Sequence, residues 1–85
     1  MEKAEARISL DVISPESMLV HAKVDCVFLP GTVGRFEVLK GHAPLISSLE
    51  KGDIVYRTGG KEERIGISGG FAEVCDDHVT ACVEV

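Results

Sequence analysis

Three histidines, three cysteines and two acidic doublets are the residues of this 85-residue chain whose types could do chemistry. His21, His42 and His78 would serve as metal ligands or a general base, but they are scattered and keep no ligand spacing. Cys26, Cys75 and Cys82 are odd in number and hold no C-x-x-C pair, which excludes an even disulfide framework and a zinc module. Each sits beside valine or alanine, so buried, reduced thiols are expected. Only Cys75, close to His78, has a base near enough to make a thiolate nucleophile. Asp76-Asp77 and Glu62-Glu63 could pair as acid and base, yet both fall where turns or solvated faces are expected. "GTVGRF" lacks the G-x-x-x-x-G-K-[ST] pattern and a following helix, so it is no phosphate cradle, and no serine stands on a G-x-S-x-G elbow. The residues alone describe a binding or assembly module: no catalytic, cofactor-binding or metal residue is expected.

The elements that would position these residues are strands. "RISLDVIS" alternates, with Ile8, Leu10 and Val12 on one face, and "MLVHAKVDCVFL" continues with Met18, Val20, Ala22, Val24, Cys26 and Phe28 in one register. "RFEVLK" sets Phe36 and Val38 together, and "HVTACVEV" aligns Val79, Ala81, Val83 and Val85. Ser14-Pro15-Glu16, Gly31 to Gly34, Gly59-Gly60, Gly69-Gly70 and Asp76-Asp77 punctuate the runs, and Gly59-Gly60 reads as a two-residue hairpin turn. Periodicity thus predicts about eight or nine short strands with turns every 8–12 residues, an antiparallel sandwich or barrel. "APLISSLEKG" offers the best helical spacing, but its strand neighbours favour an extended segment.

Composition sets the limits. Hydrophobic residues make up 45% and charged residues 27%, the balance of one globular domain, here residues 1–85 with a charged tail over 1–6. One tyrosine, three phenylalanines and no tryptophan leave the core to aliphatic side chains. A net charge of −5 argues against nucleic acid and against attraction to anionic lipid, and no apolar run reaches the roughly 18 residues of a membrane span. The start, "MEKAEAR", does not read as a signal peptide, so a cytosolic protein without membrane insertion is expected. In "GHAPL", Gly41 frees the backbone and Pro44 forbids a ladder bond. His42 between them is expected to be fixed by packing and a backbone hydrogen bond, or to be presented at a protein contact.

"LPGTVGRFEVLKGHAPLISSLEKGDIVY" resembles the hallmark of the epsilon subunit of bacterial-type rotary ATP synthases. "ISLDVISPESMLVHAKVDCVFLPG" resembles that family's first strands and "IGISGGFAEVCDDHVTACVE" its last, so the resemblance covers nearly all of residues 7 to 85. It implies an all-β fold, an antiparallel β-sandwich of about ten strands. It also implies a non-catalytic rotor subunit of the proton-transporting complex, peripheral on the cytoplasmic face of the bacterial inner membrane. There the domain sits at the foot of the central stalk, links the gamma subunit to the polar loops of the c-ring, and helps couple proton flow to ATP synthesis. By position, Gly31, Thr32, Val33, Gly34 and Arg35 would face the c-ring. Ser14, His42, Ala43, Pro44 and Ser47 would lie on the gamma-facing side.

Two departures stand out. Family members often carry an acidic residue where Arg35 stands, which suggests a compensating acidic residue in the ring. The family's C-terminal helical hairpin has no counterpart in this sequence, so neither helix-mediated inhibition nor ATP binding by the family's route is expected. A free-standing β-sandwich with a ligand pocket between its sheets is the alternative reading, and an enzyme built on Cys75 or His42 a distant third.

Overall fold

A computed structural model describes residues 7–85; the expected tail over residues 1–6 lies outside the described residues. Nine strands follow one another: β1 (Ile8–Ile13), β2 (Met18–Val24), β3 (Cys26–Gly31), β4 (Gly34–Val38), β5 (Leu45–Leu49), β6 (Gly52–Thr58), β7 (Lys61–Ile67), β8 (Gly69–Cys75) and β9 (His78–Glu84). The expected all-β sandwich is what forms, and "APLISSLEKG" contributes β5, not a helix.

The strands hydrogen-bond in the order β2-β1-β9-β8-β5-β3-β6-β7, with β4 added to β3. β3 is the corner. Its residues Cys26–Phe28 pair with β6, Gly31 pairs with Leu49 of β5, and Val27–Gly31 pair with β4. The sheet folds over at this strand, so the β2-β1-β9-β8-β5 layer faces the β3-β6-β7 layer across one core. Every pairing is antiparallel except β1 with β9, which runs parallel from Ser9↔His78 to Ile13↔Cys82.

Alternation supplies the core. Ile8, Leu10, Val12, Val79, Ala81, Val83, Ala72 and Val74 fill it from one layer, and Val27, Leu29, Ile54 and Ile67 from the other. Fully burying a branched aliphatic side chain contributes about 1.5–3 kcal/mol, whereas an exposed ion pair contributes at most about 1 kcal/mol. The aliphatic interior therefore holds the sandwich, and its surface charges tune it.

Two tight turns set registers. Gly59 and Gly60 have φ of 57° and 85° between the paired Thr58 and Lys61, the backbone of a type I′ hairpin. Asp76 and Asp77 adopt φ of 51° and 61° between Cys75 and His78. Aspartate tolerates this region better than most residues, and here a distant loop helps to hold it. Here Asp77 accepts the Gly41 N–H at 2.7 Å and the Lys40 ammonium at 3.1 Å, so its carboxyl is held below the usual range by the Gly41 N–H first and Lys40 second.

The structure corrects two expectations. The register of "MLVHAKVDCVFL" does not run through: both Asp25, by its N–H, and Cys26, by register, meet Arg57, a bulge that adds one residue to the strand. One extra residue exchanges faces, so Val27 and Leu29 enter the core while Phe28 lies outside beneath the Arg57 guanidinium, 5.4 Å from its ring centre. Of the cysteines only Cys26 is buried; Cys82 is half-buried and Cys75 exposed. Both alternate with Val74, Ala81 and Val83, and so point away from the core.

Candidate functional site

The β3–β4 hairpin is a tightly constrained surface feature. Gly31 and Gly34 pair, leaving Thr32 and Val33 at the tip. A Cβ on Gly31 would stand 2.7 Å from the Gly34 carbonyl oxygen and 3.0 Å from the Phe36 ring, so only glycine lets the two strands close this tightly. The Thr32 N–H donates to the Ser48 carbonyl at 3.0 Å, and the two hydroxyls share a 2.7 Å hydrogen bond. The Glu50 N–H donates to the Pro30 carbonyl at 2.9 Å. On the other flank the Arg35 guanidinium donates to the Asp53 carbonyl at 2.9 Å. Val33 is left 98% exposed.

Beside the hairpin lies the outer face of β1, β9, β8 and β5, where the registers arrange side chains in rows. Ile13, Cys82, Phe71 and Ser48 are cross-strand neighbours in sequence along one row, and Ser48 hands over to Thr32 of the hairpin. The next row reads Asp11, Thr80, Glu73 and Ile46, and the far row Ser9, His78 and Cys75. The face grades from apolar near the hairpin to polar at the opposite end. Phe71 is 55% and Ile46 75% exposed, large apolar side chains standing on the solvent side of their strands. A shallow groove of about 450 Å³ runs past Ile13, Ser14, Pro15, Phe71 and Cys82. Its floor requires Gly70, where a Cβ would fall 2.2 Å from the Cys82 carbonyl oxygen.

At the polar end Asp11 binds two histidines. His21 Nδ1 lies 2.6 Å from one carboxylate oxygen and His78 Nε2 2.9 Å from the other, stitching β2, β1 and β9 together. The bonds from His21 and then His78 hold the Asp11 carboxyl below its usual range. No three His, Cys, Asp or Glu side chains are grouped to hold a metal ion among the described residues. The Asp76 carboxylate, foremost, pushes the Cys75 thiol up, the opposite of what a thiolate nucleophile needs.

The residues expected to face one partner do not form one cluster. Ser14 lies at the apolar end, only 8% exposed, its hydroxyl accepting the Glu16 and Ser17 N–H groups and donating to the Ser17 carbonyl. His42, Ala43 and Pro44 lie at the opposite end, next to the Asp77 turn. The His42 N–H donates to the Leu39 carbonyl and its Nδ1 donates to the Ala43 carbonyl at 2.7 Å. Ser47, between the ends, shares the inward side of β5 with Leu45 and Leu49 and is half-buried. Gly31 to Arg35, by contrast, stay together as one hairpin.

This geometry has relatives. Residues 7–85 match the family model described as the ATP synthase delta/epsilon chain, beta-sandwich domain. The chain belongs to that family. It is 41% identical over 80 residues to the ATP synthase epsilon chain of Nitratidesulfovibrio vulgaris (strain DSM 19637 / Miyazaki F), covering 94% of this chain and 60% of that one. It is 49% identical over 72 residues to that of Desulfitobacterium hafniense (strain DSM 10664 / DCB-2), covering 85% and 54%. A chain in the cryo-EM structure of the Euglena gracilis mitochondrial ATP synthase (OSCP/F1/c-ring) superposes with a TM-score of 0.86 at 28% identity, covering 92% of this chain and 51% of that one. A chain from the Tetrahymena thermophila central stalk and c-ring shares the fold, with a TM-score of 0.76 at 12% identity. The chain thus spans little more than half the length of these epsilon chains.

In this delta/epsilon-family sandwich the apolar row is only partly legible in the sequence. Its signal was present: in "GGFAEVC" Phe71 alternates against Ala72 and Val74, which marks it as the one large apolar residue on the wrong side of its strand. Ile46 was hidden by the ambiguous "APLISSL". No helix of the described residues is long and apolar enough to cross a membrane.

Proposed function

We propose that the chain is a non-catalytic rotor subunit of a proton-transporting ATP synthase, seated at the foot of the central stalk. One side meets the gamma subunit, and the hairpin Gly31, Thr32, Val33, Gly34 and Arg35 meets the polar loops of the c-ring. The domain clamps shaft to ring, so that ring rotation driven by proton flow reaches the catalytic heads. Ser14 at one end and His42, Ala43 and Pro44 at the other border the gamma-facing side, and Ser47 lies beneath it on the inward side of β5. The complex holds it peripherally on the cytoplasmic face of the bacterial inner membrane, without insertion of its own.

The observation that carries this reading is the outward apolar row, exposed Phe71 with Ile46 beside it and half-buried Ile13 and Cys82, running up to a braced hairpin. A face of this kind suits burial against a fixed partner. Family membership and the fold shared with chains of ATP synthase assemblies support the choice of partner. The test is binding to purified gamma subunit. The chain binds, and the outward-facing double variant Ile46→Glu, Phe71→Glu stays folded and does not. Unimpaired binding by that variant would reject this face as the gamma contact.

A further inference from the structure

The Arg35 guanidinium has a task within the fold. Continuing the β3–β6 register two residues beyond Phe28↔Val55 brings Pro30 opposite Asp53. A proline has no N–H to give, so the ladder bond due to the Asp53 carbonyl is missing. Arg35, the β4 neighbour of Pro30, reaches over it and donates to that carbonyl at 2.9 Å. The Asp53 carboxylate meanwhile takes the Arg64 guanidinium at 3.2 Å, and Arg64 also binds Glu62 at 2.9 Å. The Arg35 side chain thus lies back along the sheet, on the flank of the hairpin. Thr32 is tied on the other flank to Ser48 through both its N–H and its hydroxyl. What projects is Val33, 98% exposed on a tip held from both sides.

On the reading of the hairpin as the ring-facing element, we infer that Val33 makes the contact as an aliphatic knob, and that Arg35 is a positioning residue that braces the hairpin in place of the bond Pro30 cannot make. The partner surface is then a small apolar spot within the ring's otherwise polar loops, not an acidic group paired with Arg35. A rigid tip suits this role, because little side-chain and loop entropy remains to be lost on docking. The charge of Arg35 is incidental to the contact. Its donor is not.

Two measurements test the inference. The first is the affinity of the chain for the gamma–c-ring rotor in membranes lacking the endogenous subunit, at ionic strengths of about 0.01 M and about 0.15 M, where the screening length falls from about 30 Å to about 8 Å. Val33→Asp weakens binding about tenfold or more. Arg35→Ala weakens it less and by the same factor at both ionic strengths, and Arg35→Lys, which keeps a donor, restores most of the loss. The second is amide hydrogen exchange in the free chain. Arg35→Ala speeds exchange at Thr32 and Glu50, whereas Val33→Asp leaves both unchanged. Wild-type binding by Val33→Asp, with a loss in Arg35→Ala that disappears at the higher ionic strength, would overturn the inference and favour an ion pair with the ring. Failure of the unaltered chain to bind the rotor would instead overturn the stalk reading and the Val33 contact with it; unchanged exchange in Arg35→Ala would overturn the brace.

Discussion

Gly70 and Gly34 share a backbone φ of 147°, a region that side-chain-bearing residues rarely enter, yet their surroundings differ completely. A Cβ on Gly34 meets nothing within 4 Å, whereas one on Gly70 would stand 2.2 Å from the Cys82 carbonyl oxygen and 2.9 Å from the Val83 Cα. Gly34→Ala should therefore cost backbone strain alone, about 1–3 kcal/mol. Gly70→Ala carries the same strain and must also push β8 from β9 by about 1 Å. That loosens the ladder around Gly70↔Val83 and Phe71↔Cys82, at about 1 kcal/mol for each hydrogen bond lost. The difference of about 1–2 kcal/mol corresponds to a Tm about 5–15 °C lower for Gly70→Ala than for Gly34→Ala in a domain of this size. Against a total stability of about 4–13 kcal/mol for 85 residues, it is large enough to measure by thermal and urea unfolding of both variants. Equal losses in the two would refute the close approach of β8 and β9 on which the groove beside Phe71 depends.

Other consequences follow from the charged groups. The folded state holds the Asp11 carboxyl below its ordinary 3.8, so its contribution is full above that value and is lost as the pH falls through the lower, folded pKa. Asp11→Asn should make the acid limb of the stability curve shallower and lower stability at neutral pH; superimposable acid limbs would contradict the His21–Asp11–His78 bonds. Cys75 should alkylate before the buried Cys26, but with a pH midpoint above the ordinary 9.0 that moves down in Asp76→Asn. A midpoint near neutral pH would revive the thiolate reading that Asp76 disfavours.

Much of the fold was legible because alternation is a local signal. β1, β8 and β9 declare their inward residues two by two, and Gly59-Gly60 and Asp76-Asp77 sit where positive φ is needed. The bulge at Asp25 was not legible, since nothing in "KVDCVF" distinguishes an extra residue from a continuing strand until Arg57 is seen to face both Asp25 and Cys26. The parallel pairing of β1 with β9 joins the two ends of the chain and leaves no trace in either segment alone. For the candidate site, the hairpin glycines and "GHAPL" could be read as special, but not what they are special for. Arg35 suggested an acidic partner only through the departure from the family's residue; that Pro30 and Asp53 are its neighbours shows only once β3, β4 and β6 lie side by side. The resemblance assigned Ser14 and His42 to one side, and the sequence does not say that they occupy opposite ends of the same layer.

Membership of a rotor is best tested by co-purification from native membranes. With the complex extracted in mild detergent and isolated through a catalytic subunit, this chain should be recovered with gamma and the c-ring in constant proportion through every step. Consistent absence of the chain from an otherwise intact complex would contradict it.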